Sequence, residues 1–146
     1  MSNNLIPYAD MEQMAQAMVK VLAGQELGIG PVAAMRGISF IMGKLNLDAG
    51  LVSALINRSG KYAYRITEHT DKVCAIDFYT AADKIGVSRF TMEDATKAGL
   101  AEKDLWKKFP KNMLFARALS NGAKWYCPDV FFGSIYTGDE LPTDGV

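Results

Sequence analysis

The sequence predicts an α+β fold, a small antiparallel β-sheet (a hairpin plus a three-stranded meander) packed with helices, and three observations carry that prediction. Apolar residues recur three and four apart over residues 8–23 and again after Pro110, the period of amphipathic helices. Residues 62–67, 73–79 and 87–91 alternate aromatic or branched residues with smaller ones, the period of strands. Gly24, Gly37, Gly60, Gly99 and Pro110 fall between these runs, where chain breaks belong.

Each element follows from local chemistry. Over residues 8–23, Met11, Met14, Ala15, Met18, Val19 and Leu22 mark the apolar face of a helix that Gly24 is expected to stop. That methionine stripe reads as core packing, with an adaptable interface as the alternative. Pro31 opens a short helix through Met35, ended by Gly37. Residues 38–42 and 45–47 flank the turn signal Gly43-Lys44 and predict a β-hairpin. Asp48 is placed to cap a helix over residues 49–57, which closes at Ser59-Gly60. The runs 62–67 and 73–79, joined by His69-Thr70-Asp71-Lys72, form a second hairpin, and 87–91 extends it to a meander. Thr91 caps a helix whose early acids, Glu93 and Asp94, complement the helix dipole, and Gly99 ends it. Residues 103–109 make a short basic helical turn. Pro110 then opens a long basic C-terminal helix that runs on toward Pro128.

The composition is that of one globular domain spanning 1–146. The chain has 146 residues, 49% hydrophobic and 22% charged, and a chain of this size buries roughly 70% of its unfolded surface without disulfides or structural metals. No apolar run approaches the roughly 18 residues of a membrane span, and Met-Ser-Asn-Asn lacks the features of a signal peptide. The expectation is a cytoplasmic protein. Cys74 and Cys127 are distant, His69 is the single histidine, and no zinc spacing, Walker loop, dinucleotide loop or nucleophile elbow is present. The thiols read as buried apolar groups, with a nucleophile pair of Cys74 or Cys127 with His69 as the alternative. Asp77, Asp83, Glu93 and Asp94 read as caps, turns and solvated faces. The sequence carries no catalytic, metal or cofactor site, and a non-enzyme is expected.

Sixteen basic and sixteen acidic residues cancel overall, but they are not mixed evenly. Residues 1–35 carry a net −2, 36–65 a net +4, 66–96 a net −3, 97–125 a net +5 and 126–146 a net −4. Two basic blocks of this kind polarise a surface if the fold brings them together. In the last helix Arg117, Ser120, Asn121 and Lys124 share one stripe, while Lys103, Lys107 and Lys111 recur every four residues beside Lys108 and Trp106. Cations neutralise phosphates and flat rings stack on unpaired bases, so this composition suits single-stranded nucleic acid. Trp106 and Trp125 themselves read as core anchors.

The segment Gly24-Gln-Glu-Leu-Gly-Ile-Gly-Pro-Val-Ala-Ala-Met-Arg-Gly-Ile, running on to Gly43-Lys44, resembles the phage RecT family of single-strand annealing proteins, as does Phe90-Thr-Met-Glu-Asp-Ala-Thr-Lys-Ala-Gly-Leu. The most distinctive stretch is Lys103-Asp-Leu-Trp-Lys-Lys-Phe-Pro-Lys-Asn-Met-Leu-Phe-Ala-Arg-Ala-Leu-Ser, followed by Tyr126-Cys-Pro-Asp-Val and Tyr136-Thr-Gly-Asp-Glu-Leu. These segments span most of the chain in the family's order. The resemblance implies a short member of the RecT/Redβ type: a recombinase that needs no nucleotide, binds single-stranded DNA and anneals complementary strands in phage homologous recombination.

The resemblance further implies a homo-oligomeric ring or filament that holds the nascent duplex in a basic groove between sheet and helix. A phage exonuclease and a host single-strand-binding protein are the family's associated partners, and a phage or prophage protein acts in the host cytoplasm. By position in the matched segments, Lys107, Lys108, Lys111, Arg117 and Lys124 are the main phosphate contacts, with Lys44, Arg58, Lys61 and Arg65 on the sheet side. The methionine-rich first helix and Val130-Phe131-Phe132 are candidate subunit contacts, and either could equally be buried within one subunit. Asp139, Glu140 and Asp144 form an acidic tail able to compete for the groove. A RecT-like fold that oligomerises without annealing is the alternative.

Overall fold

The computed structural model describes residues 7–41 and 43–131. Among them the helices are α1 (Tyr8–Glu26), α2 (Pro31–Gly37), α3 (Ala49–Arg58), α4 (Met92–Lys97), α5 (Asp104–Lys108), α6 (Pro110–Tyr126) and α7 (Pro128–Phe131). Strands β1 (Ile38–Ile41) and β2 (Lys44–Leu47) pair as an antiparallel hairpin. Strands β3 (Tyr62–His69), β4 (Val73–Thr80) and β5 (Lys84–Thr91) form an antiparallel meander in that order. The α+β fold and both sheets expected from the alternation are therefore present. Val130 and Phe131 are described, whereas Phe132, the motif 136–141 and the acids Asp139, Glu140 and Asp144 lie outside the described residues.

Caps behave as their residue types dictate. The Asp48 carboxylate accepts the Leu51 N–H at 2.8 Å and starts α3. At α4, Thr91 Oγ1 accepts the Asp94 N–H and Asp94 Oδ2 accepts the Thr91 N–H, each at 3.0 Å, a reciprocal capping box. Gly99, at φ +75°, ends that helix in a conformation other residues resist.

Gly24 does not stop α1, contrary to the sequence expectation. The helix runs on to Glu26 and turns at Gly28, at φ +75°, while Gly24 is buried inside it. Its role is contact, because a Cβ there would lie 2.6 Å from that of Ala34 on α2. Likewise Pro128 does not merely follow the last helix but opens α7.

α6 lies on one face of the meander and runs parallel to β4. Its first turn meets the end of β3, where His69 Nε2 is 2.9 Å from the Lys111 carbonyl oxygen. Midway, the Ser88 hydroxyl donates to the Ala118 carbonyl at 2.6 Å. Farther on, Gly122 lets the backbone of α6 settle onto the Phe78 ring, which a Cβ would overlap. Beneath the helix Cys74, Ile76 and Phe78 of β4 are fully buried, and they join Leu114, Ala118 and Leu119 of α6 and Val52 and Ile56 of α3 in one core.

The two tryptophans part company. Trp106 is 2% exposed and packs 6.1 Å from Phe90, as a core anchor should. Trp125 is 59% exposed, against expectation, because its neighbour Tyr126 takes the inward place against Phe78 and Gly86. The methionine stripe of α1 also departs from the core-packing expectation: Met11, Met14 and Met18 are all more than half exposed. The cause is geometric, since among the described residues α1 packs mainly on α2 and β1.

Candidate nucleic-acid interface

Lys107, Lys108 and Lys111 of the second basic block lie at the corner where α5 meets α6. Lys107 Nζ lies 3.2 Å from Glu102 and Lys108 Nζ 3.1 Å from Asp104, yet both side chains stay more than half exposed. Exposed pairs of this kind contribute little to stability, so a phosphate can replace the carboxylate at small cost. Lys111 is exposed in the first turn of α6. Trp106 holds the corner from inside, while Leu105 and Phe109 are exposed beside the lysines.

Along α6 the expected polar stripe is only partly open. Ser120 is buried, and Arg117, Asn121 and Lys124 are half-buried. The Arg117 guanidinium sits 5.5 Å from the centre of the Phe90 ring, a cation-π contact within the fold. The stripe sinks because α6 is flanked by the meander and α3 together. At the far end, the exposed Trp125 follows Lys124 in sequence.

Lys61, of the first basic block, reaches the C-terminal end of α6 through α7. Its Nζ is 2.8 Å from Asp129 Oδ2, and the Tyr62 hydroxyl donates to Asp129 Oδ1 at 2.7 Å. The Lys61 hydrogen bond first, then that of Tyr62, holds the Asp129 carboxyl below its ordinary value. The same bonds raise the Lys61 ammonium and the Tyr62 hydroxyl. Next to this cluster an open groove of about 400 Å³ runs between Gly60 to Ala63 and Tyr79 to Ala82. Tyr62 and Asp129 are 67 residues apart, so no spacing in the sequence pointed to their meeting.

The remaining candidates stand elsewhere. Arg65 is exposed on β3, in register with Asp77, on the sheet face opposite α6. Arg89 is exposed on that same face, in register with Ala75 on β4, and was not singled out from the sequence. Strand alternation could have found it, since Ser88 and Phe90 on either side point inward. Arg58 spends its guanidinium on the Leu27 carbonyl at 2.9 Å, fastening the link between α1 and α2. Lys44 is exposed at the start of β2, in the separate two-stranded sheet. The structure thus leaves Lys107, Lys108 and Lys111 exposed at the α5–α6 corner, places Lys61 near the α7 end, keeps Arg117 and Lys124 half-buried along α6, and sets Lys44, Arg58 and Arg65 in three further places.

The register also sets Cys74 directly opposite His69. Cys74 is fully buried, however, and burial pushes its thiol up to about 11, while Cys127 is pushed up to about 12. Neither forms appreciable thiolate at neutral pH. Of the acids, Asp94 is held in the cap, Asp77 faces Lys84 at 3.4 Å and Glu93 faces Lys97 at 4.0 Å. Among the described residues no three His, Cys, Asp or Glu side chains converge as metal ligands. No described helix is long and apolar enough to cross a membrane. No family model, curated protein or solved structure matches the chain.

Proposed function

We propose that the protein binds single-stranded DNA and promotes the pairing of complementary strands without a nucleotide cofactor, acting as a homo-oligomer. The observation that carries this reading is the pairing of exposed aromatic rings with lysines at both ends of α6. Phe109 is 52% exposed next to the exposed Lys107, Lys108 and Lys111 in sequence, and Trp125 is 59% exposed next to the half-buried Lys124. Rings left in water beside cations are costly in a monomer and useful to an unstacked strand, which supplies bases to the rings and phosphates to the lysines. The resemblance of the 103–120 segment to RecT-type annealing proteins supports the same reading, because that segment builds this corner.

Annealing needs no catalytic residue. Complementary strands repel through their phosphates, and cations lower the barrier to close approach while the base edges remain free to test pairing. Sequence selection then belongs to the strands themselves. A RecT-like fold that assembles without annealing is the second reading, and the outward apolar face of α1 favours it.

The test is the annealing of two dye-labelled complementary oligonucleotides at low and moderate salt. The native chain is compared with Lys107→Glu/Lys108→Glu/Lys111→Glu, whose sites are all exposed, with circular dichroism to verify folding. Acceleration that fades with salt and is lost in the folded variant is the expected result. A native chain that neither binds nor accelerates pairing at low salt defeats the proposal and leaves assembly as the leading function.

A further inference from the structure

α1 is an amphipathic helix turned inside out. Tyr8, Met11, Ala15, Met18 and Leu22 follow one another at steps of three, four, three and four residues, the heptad period of a coiled-coil seam. All five are exposed. Met14 and Val19 border the seam and are exposed as well. The less exposed positions, Gln16, Ala17, Lys20, Ala23 and the buried Gly24, lie on the opposite side toward α2. Residues 8–15, eight of the 19 in this helix, are exposed throughout among the described residues. A segment that short is marginal as a helix in water unless its apolar stripe is covered.

We infer that the cover is the same stripe of a second copy, packed antiparallel, so that α1 is the homodimer interface. The stripe alternates steps of three and four along the helix, so its side chains can enter as knobs the holes of a second helix. The area suits a dimer: if fully covered, the exposed parts of Tyr8, Met11, Met14, Met18, Val19 and Leu22 sum to roughly 700 Å², close to the ~800 Å² per partner of a standard interface. Three of the four charged side chains on α1 are acidic, Asp10, Glu12 and Glu26 against Lys20, which disfavours an anionic lipid surface. Antiparallel packing about Ala15 sets Met11 against Met18 and Tyr8 against Leu22. The small Ala15 pair at the crossing point lets the two helices approach closely, and each body stands at its own end of the pair. This interface holds whether or not the basic corner binds DNA.

Sedimentation of the full chain over a range of concentrations tests it, alongside Met11→Lys/Met18→Lys. The native chain is expected at twice its 16.0 kDa mass or a higher multiple, and the variant at half the native mass with its meander still folded by near-ultraviolet dichroism. Should the lysine pair disturb folding, cysteine trapping decides. Under mild oxidation, a mixture of Met11→Cys and Met18→Cys chains should give a disulfide-linked dimer that neither gives alone, the native thiols being buried. A native chain that stays at monomer mass into the high micromolar range overturns the inference. So does a folded lysine variant with unchanged mass, self-linking of Met11→Cys alone, or a monomer that instead binds phosphatidylcholine or phosphatidylglycerol vesicles.

Discussion

At Gly122 the backbone of α6 lies against the Phe78 ring of β4, and any side chain there must displace that ring from a fully packed core. Gly122→Ala is therefore expected to destabilise the fold by about 1–3 kcal/mol in urea unfolding, although alanine is the better helix former. Asp129 offers a second residue-level test. Its carboxyl is held below the ordinary 3.8, so the stabilisation it lends the α7 end is fully present above 3.8 and lost as pH falls through the lowered native value. The Lys61 ammonium is raised above 10.5, so its share is complete below 10.5 and lost as pH rises through the raised value. Comparing urea midpoints of the native chain and Asp129→Asn across pH should show a gap at neutrality that closes at the acid end. A gap independent of pH would mean that the ion pair does not hold this corner. Both groups are exposed, so the gap should be small.

At the scale of elements, α6 serves two ends with two rings. Phe109→Ala and Trp125→Ala should each weaken binding of a single-stranded oligonucleotide by about 1–3 kcal/mol, the usual contribution of one base stacked on one ring. Titration followed by the anisotropy of a labelled oligonucleotide measures this directly in the native chain and in both variants. Unchanged affinity in both variants would remove stacking from the proposal. The elements themselves were legible to different degrees. Strand alternation, Asp48, Thr91 and Pro110 announce β3, β4, α3, α4 and α6, because these signals act within a few residues. The extent of α1 was not legible, since Gly24 looks like a stop until Ala34 is seen pressing against it.

At the scale of the whole molecule, net charge is zero, so the proposed binding of a polyanion has to rest on local clusters. If Lys107, Lys108 and Lys111 each neutralise one phosphate, replacing all three by glutamate should flatten the salt dependence of single-strand binding by about two in log-log slope. A variant with the native slope would place the contacts elsewhere, Arg65 and Arg89 on the opposite sheet face being the next candidates. The division between what was readable along the chain and what was not follows from the range of the forces concerned. Periodicity, caps and turn residues act over a few positions, so the α+β class, the two sheets and the basic character of α5 and α6 were already present in the order of residues. Burial and pairing depend on partners far along the chain. Only the tertiary structure decided that Arg117 turns toward Phe90, that Arg58 is spent on Leu27, that Asp129 meets Lys61 and Tyr62, and that the methionines of α1 face outward while Trp106 faces in. An apolar stripe carries the same pattern whether it covers its own core or another molecule's surface, and packing alone tells the two apart.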